Sequence, residues 1–131
     1  MKKSILFSSA AILTVLLFMS CGKSKTTYNA HFWTSKDTSE VRLDLFIDDE
    51  YKGKLPYLEQ EPGCGSENAL SFTVEEGKHT IVAKNMQGAI KSSGTVRIRN
   101  NVRRTSLSGS GGTGGQDINL KDDCLIVKIY Y

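Results

Sequence analysis

The segment Gly109–Gly114 holds the residue pattern that most directly suggests chemistry, because Gly-Ser-Gly-Gly-Thr-Gly matches the dinucleotide-binding pattern G-x-G-x-x-G. That chemistry needs the glycines between a strand and a helix whose N-terminus receives the pyrophosphate. Here Gly115, Gln116 and Asp117 follow without a helical pattern, and no phosphate-loop Lys-Ser/Thr pair is present. We therefore predict a flexible Gly/Ser-rich loop over residues 105–116 and no cofactor.

Side chains suited to acid–base or metal chemistry are scattered. His31 and His79 lie on separate predicted strands, and neither has a partner motif for nucleophilic catalysis or metal binding. The consecutive acids Asp48, Asp49 and Glu50 lack the alternating oxygen spacing of a calcium loop and fit a hairpin turn. These patterns predict no metal site and no enzyme. Carboxylates that converge from distant strands are the one enzymatic alternative.

The N-terminus has the layout of an export signal. Lys2 and Lys3 form a short positive region, and the apolar run Ile5–Met19 of 15 residues follows. This run is shorter than the roughly 20 residues that span a bilayer. We predict that residues 1–20 are a signal peptide.

The end of this segment reads Phe18-Met19-Ser20-Cys21-Gly22. It resembles a lipobox, in which a small residue precedes an invariant cysteine, although Phe18 and Met19 depart from the usual residues. The resemblance implies that Cys21 receives a diacylglyceryl thioether and becomes the new N-terminus. Two or three acyl chains would anchor it firmly to a membrane. An ordinary signal peptide with a chance cysteine is the alternative.

Residues 21–27 are small and polar, which predicts a tether between the membrane and a folded domain. No acid follows Cys21 directly. By resemblance to common sorting rules, this predicts the outer membrane and leaves the leaflet open.

Cys64 and Cys124 are the two cysteines left once Cys21 carries lipid. An exported protein meets oxidising conditions, so a disulfide is the natural inference. It would close a loop of about 60 residues and pin residues 57–68 to the final strand. Two free thiols are the alternative, and no Cys-x-x-Cys pair or nearby His completes a metal site.

Four aromatic residues could stack on sugar rings if they are exposed together: Tyr28, Phe32, Trp33 and Tyr57. Phe32 and Trp33 are adjacent, so a strand turns them to opposite sides and at least one should lie in the core. Trp33 and Tyr57 are therefore the candidate contacts for a glycan.

Arginines precede the Gly-rich segment in a basic cluster of Arg97, Arg99, Arg103 and Arg104. On a strand, Arg97 and Arg99 share one face. A solvated face is the plain interpretation, and contact with anionic lipid or an acidic partner is the functional one. Beyond residue 20 the chain carries 15 basic and 14 acidic residues, so we predict no nucleic-acid partner.

The elements that must position these residues are strands, because residues 28–131 show period-two alternation and no amphipathic 3.6-residue period over three turns. Alternating or strand-like runs are Tyr28–Ser35, Val41–Ile47, Tyr51–Leu55, Leu70–Val74, His79–Asn85, Ala89–Arg99 and Cys124–Tyr131. We predict an all-β fold, a small antiparallel sandwich of immunoglobulin-like size with seven or eight strands.

Five short features between residues 41 and 98 resemble those of a small envelope domain. They are the strand end Ile47-Asp48, the segment Gly53–Pro56, the strand start Glu76–His79, the turn at Gly88 and the closing strand Thr95–Ile98. Together they resemble a PEGA-type repeat, although Asp49 stands where that family commonly has Gly and the eponymous tetrapeptide is absent. The resemblance implies a β-fold exposed on an envelope and supplies no catalytic residue.

Length and composition limit the remaining classes. A chain of 131 residues with 39% apolar residues and a net charge of +3 excludes a multidomain enzyme, a polytopic membrane protein and an acidic disordered tail. We predict a membrane-anchored envelope lipoprotein that acts as a non-catalytic binding or structural accessory for an envelope protein partner. A carbohydrate-binding surface lipoprotein is the alternative.

Overall fold

The computed structural model describes residues 25–37, 41–100, 104–109 and 111–131, and this part of the chain contains nine strands and no helix. In chain order the strands are β1 (Thr27–Trp33), β2 (Leu43–Ile47), β3 (Glu50–Lys54), β4 (Leu70–Glu75), β5 (Gly77–Asn85), β6 (Ile90–Ile98), β7 (Arg104–Leu107), β8 (Gln116–Lys121) and β9 (Cys124–Ile129). The predicted all-β fold is confirmed, with at least one strand more than expected.

The strands form two sheets, ordered β4-β1-β9-β8-β7 and β3-β2-β5-β6. All neighbouring pairs are antiparallel except β1 and β9, which run parallel with Asn29 beside Cys124. Parallel neighbours need a long connection, and here almost the whole domain lies between them. The first and last of the nine described strands therefore lie side by side within the larger sheet, as the one parallel pair of an otherwise antiparallel sandwich.

The core lies between the two sheets, where alternation turns one face of each strand inward. Leu43, Leu45 and Ile47 of β2 share a buried face. Phe32 of β1 and Val127 of β9 contribute to the same core from the other sheet, and both are almost fully buried. Side chains from both sheets in one cluster define a two-layer β-sandwich.

The connection between β3 and β4, residues 55–69, covers the outer face of the five-stranded sheet; we call it the β3–β4 connection. The carbonyl of Thr34, just after β1, accepts a hydrogen bond from the Leu58 N–H at 3.0 Å. Trp33 and Ile126 point outward from the sheet and are buried with Leu58 packed against them. The connection thus creates a second, smaller core.

The Gly-rich segment differs from the predicted loop over residues 105–116, because β7 occupies its start and a bridge holds its end. The Gly114 N–H donates to the Lys91 carbonyl at 2.9 Å and ties the segment to the edge strand β6. A Cβ at Gly114 would overlap the backbone carbonyl of Tyr130. Glycine is required there by the close approach of two backbones.

Candidate functional site

The predicted disulfide joins Cys64 of the β3–β4 connection to Cys124, with the two Cα atoms 5.9 Å apart. Cys124 begins β9 and is buried, whereas Cys64 is exposed. The bond therefore fixes the connection onto the sheet from the solvent side. It closes a sequence separation of 60 residues.

His31 and Ser71 lie within the distance that a nucleophile–base pair requires. The Nδ1 atom of His31 is 2.6 Å from Ser71 Oγ, and its Nε2 atom accepts the Gly65 N–H at 3.4 Å. A nitrogen that accepts a backbone hydrogen carries none itself, so in the neutral ring Nδ1 carries the hydrogen and donates it to Ser71. In this tautomer His31 cannot take the Ser71 proton, and its contacts position Gly65 beside the disulfide instead.

His79 forms a second polar cluster, at the β2–β3 hairpin. Its Nδ1 and Nε2 atoms are each 2.6 Å from an acceptor, Asp48 Oδ2 and the Glu75 carbonyl respectively. Burial raises the pKa of Asp48, but hydrogen bonds from the Thr80 N–H and from His79 outweigh burial and lower that pKa below its ordinary value. Asp48 and Asp49 have φ of 51° and 66°, so the predicted turn is confirmed.

The described residues contain neither a metal-binding cluster nor a membrane-spanning helix. Within the described ranges, no group of three or more His, Cys, Asp and Glu side chains lies close enough to hold a metal ion. In the same ranges no helix is both long and apolar enough to cross a bilayer. Cys21 and the predicted signal peptide lie outside the described residues, and so does most of the tether. Lipidation therefore stays a prediction.

The aromatic surface predicted for glycan binding does not form around Trp33. The Trp33 side chain is only 4% exposed, because the β3–β4 connection covers it, whereas Tyr57 is 39% exposed. Alternation did place Trp33 on the face opposite Phe32. That face, however, carries a second core of its own, so both side chains are buried. The prediction that Trp33 and Tyr57 contact a ligand together is wrong for Trp33.

A polar cleft of about 240 Å³ opens beside the β3–β4 connection; we call it the β8–β9 cleft. Its lining comprises Trp33, Glu61, Asp117, Ile118, Asn119, Lys128 and Tyr130. The Lys128 ammonium lies 5.1 Å from the Trp33 ring centroid and 5.0 Å from that of Tyr130. The Asp117 carboxylate accepts hydrogen bonds from Ser106 and Tyr130. Aromatic, amide and charged groups suited to a hydroxyl-rich ligand therefore meet here.

The outer face of the four-stranded sheet is strongly basic, and we call it the basic face. Among the described residues its cations are Arg42, Lys54, Lys78, Lys84, Lys91 and Arg97, and its one acid is Asp44. The described ranges contain 13 Lys and Arg residues and 13 Asp and Glu residues. Six cations against one acid on a single face therefore reflect segregation of charge in a part of the chain that is neutral overall.

Most cations of the basic face have no acidic partner in the part of the chain that the structure describes. Asp44 pairs with Arg42 at 3.0 Å between Oδ1 and Nε. Among the described residues, the other five cations form no ion pair. The Lys84 ammonium lies 4.7 Å from the Phe46 ring centroid, and Phe46 packs against Tyr51 at 5.7 Å between centroids. The face therefore combines uncompensated positive charge with an aromatic pair.

The β3–β4 connection on the opposite side of the sandwich has the opposite charge. Residues 55–69 include Glu59, Glu61 and Glu67, all exposed, and no Lys or Arg. The connection and the basic face therefore differ in sign, although Lys121 and Lys128 also lie on the outer side of the five-stranded sheet. Such an arrangement can orient the domain in an electric field or against a charged surface.

Sequence reasoning found only part of the basic face. Arg97 of the predicted arginine cluster belongs to it, and Arg99 lies one residue beyond the end of β6. Arg104 starts β7 in the other sheet, and Arg103 lies outside the described residues. The lysines of β3, β5 and β6 were missed. Alternation along each strand predicts that these lysines point away from the core, but only the order of the strands shows that they share one face.

Comparisons with known proteins add no relative to this description. No protein-family model, curated protein or solved structure matches the chain. The resemblance to PEGA-type repeats therefore stays a prediction, and the proposals below draw on the sequence and the geometry.

Proposed function

We propose that this chain is a lipid-anchored protein of the bacterial envelope whose β-sandwich serves as a non-catalytic binding or structural accessory module. The concentration of cations on the basic face, opposite a connection that carries acids and no cation, supports the proposal. Unpaired charges on a flat face steer association and select partners of opposite charge. The module would therefore act by presenting its faces, with no chemical step.

Export and anchoring have separate support. Disulfides persist in oxidising compartments, so the Cys64–Cys124 bond supports an exported location. The lipobox-like sequence around Cys21 supports acylation and, with no acid directly after it, the outer membrane. The intact mass of the mature protein tests this step, and an unmodified N-terminal residue would contradict it.

The binding role is tested by crosslinking in intact envelopes followed by purification of the protein with whatever is attached. We expect crosslinked envelope protein to co-purify with the wild type and with the control variant Lys36→Gln/Lys121→Gln. We expect less crosslinked envelope protein to co-purify with Lys54→Gln/Arg97→Gln, which has the same net charge as the control variant but fewer cations on its basic face. A protein that is always recovered as a monomer without partners would contradict the accessory role.

Glycan binding is a second candidate, and the β8–β9 cleft favours it. Tyr130, Asn119 and Asp117 offer a ring face and hydrogen-bonding groups within one concave surface. A glycan array probed with the wild type and with Asn119→Ala tests it. Signals that depend on Asn119 would support the cleft, and an array without signals would remove this candidate.

A further inference from the structure

We infer that the basic face docks onto the anionic head groups of the membrane that holds the anchor, so that the sandwich lies on the bilayer through its four-stranded sheet. This inference rests on the proposed acylation of Cys21. It names a phospholipid surface as the partner of the basic face and leaves the β3–β4 connection to meet an envelope protein, so a weaker basic face lowers co-purification of that protein by releasing the domain from this orientation. The β3–β4 connection, with its three glutamates, would then face away from the membrane.

The first step of the argument is the number of available charges. Five of the six cations of the basic face form no ion pair among the described residues. Because no carboxylate of the described residues pairs with them, they are available to phosphate groups. A Lys or Arg near an anionic membrane contributes about 1 kcal/mol, a factor of about five in binding. Several such cations acting together are enough to hold a tethered domain against a bilayer.

The second step is the size of the face. Lys78 and Lys84 are six residues apart on β5, a distance of about 20 Å at the rise of a strand. Lys78 lies opposite Arg97 in the register of β5 and β6, and Lys54 and Lys84 lie on either side of Asp44 in the register of β3, β2 and β5. Cations therefore lie at both ends of the sheet. Three spacings between four strands make the face about 14 Å wide. A small anion would reach only one end, whereas an extended anionic surface contacts both.

The third step is the point where the tether enters the domain. The Thr26 carbonyl accepts the Glu76 N–H at 2.8 Å, two residues before Lys78. The chain therefore enters beside the end of the basic face that carries Lys78 and Arg97. Residues 22–26 span at most about 18 Å when fully extended. So short a tether gives the face a high effective concentration at the membrane surface.

The experiment places the acylated full chain in vesicles of phosphatidylcholine, with or without about one third phosphatidylglycerol, and labels lysines with an amine-reactive reagent. Mass spectrometry then gives the labelling rate at each lysine. We expect Lys54, Lys78, Lys84 and Lys91 to react at least about fivefold more slowly on the anionic vesicles. Three lysines away from the basic face serve as controls and should react equally on both vesicles: Lys36, Lys52 and Lys121. Salt at about 0.5 M should abolish the protection, because it screens exposed charges.

A matched pair of variants tests the face directly. Lys54→Gln/Lys78→Gln/Arg97→Gln removes three cations, equivalent to about 100-fold in binding, so protection at the two remaining lysines of the face should disappear. The control Lys36→Gln/Lys52→Gln/Lys121→Gln has the same net charge and should keep the protection. If the first variant does not fold, the lipid and salt dependence of the wild type still decides the question.

Several results would overturn the inference. Equal labelling on both vesicles means that the face does not dock, and equal protection of the control lysines means that attraction is not confined to this face. Protection by an added soluble anionic polysaccharide, but not by anionic vesicles, would assign the face to an acidic polymer instead. Flotation of the protein with each kind of vesicle separates failure of the anchor from failure of docking. A protein that floats only with anionic vesicles docks through its basic face without being acylated. A protein that floats with neither kind of vesicle refutes both the anchor and the docking.

Discussion

Replacing Cys64 by Ser and Cys124 by Ala removes the disulfide with little further damage, because Cys64 is exposed and Cys124 is buried in an apolar cluster. The bond closes a sequence separation of 60 residues. In the chain-entropy model, a loop of that length stabilises the fold by about 4 kcal/mol. We therefore expect the double variant to lose about that much of its free energy of unfolding, a large part of the total for a small domain.

Urea unfolding measures this loss, and the chain supplies its own probe. Trp33 is the single tryptophan, and it is buried under the β3–β4 connection, so its fluorescence reports the second core. Far-UV circular dichroism reports the two sheets. Wild type in reducing agent should match the variant. A loss below about 1 kcal/mol would refute the argument from loop closure.

Hydrogen exchange shows whether the bond also acts in the folded state. The Leu58 N–H donates to Thr34 from within the connection. If the disulfide acts only on the unfolded chain, the Leu58 amide of the variant exchanges its hydrogen through global unfolding. Its opening free energy then equals that of the core amides. If the bond also holds the connection closed, Leu58 exchanges at a lower free energy than the core amides.

Three further predictions concern single residues. Gly114→Ala should lower the free energy of unfolding by about 3 kcal/mol, because the new Cβ meets a backbone carbonyl. Gly112→Ala should lower it by about 1 kcal/mol, because Gly112 has φ of 79° but open space around it. Equal losses in urea unfolding would contradict the close backbone approach at Gly114. Asp48→Asn should lower stability more at pH 6 than at about pH 3, because the lowered pKa of Asp48 contributes stability that is fully present above the unfolded pKa and is lost as the pH falls through the folded pKa. Urea midpoints at both pH values check this, and a pH-independent difference would contradict it. Leu45→Ala should lower the free energy of unfolding in urea by about 3 kcal/mol, because Leu45 is fully buried. Val41→Ala should lower it by less than about 0.5 kcal/mol, because Val41 is 37% exposed. Similar losses for the two variants would contradict the assigned core.

The positions of several strands and one turn followed from local patterns. Leu43, Leu45 and Ile47 alternate with polar or outward residues, which fixes both the strand and its buried face. The acids after Ile47 favour a tight turn, and Asp48 has the positive φ that such a turn needs. These features depend on neighbours in sequence, so they can be predicted without knowing the fold.

The candidate surfaces could not be predicted in this way. Trp33 was a candidate ligand contact, but the β3–β4 connection folds back over the sheet and buries Trp33 as well as Phe32. Lys54, Lys84 and Arg97 lie far apart in sequence, and only the order β3-β2-β5-β6 places them on one face. Which strands are neighbours depends on contacts between distant parts of the chain.

The sequence by itself determined the all-β class, the hairpin at Asp48 and the pairing of Cys64 with Cys124, because alternation, turn chemistry and the small number of cysteines allow few choices. Only the tertiary structure decided that β1 and β9 run parallel, that a connection forms a second core and that cations concentrate on one outer face. Strand order and register set these features, and both follow from the burial of the whole apolar surface at once.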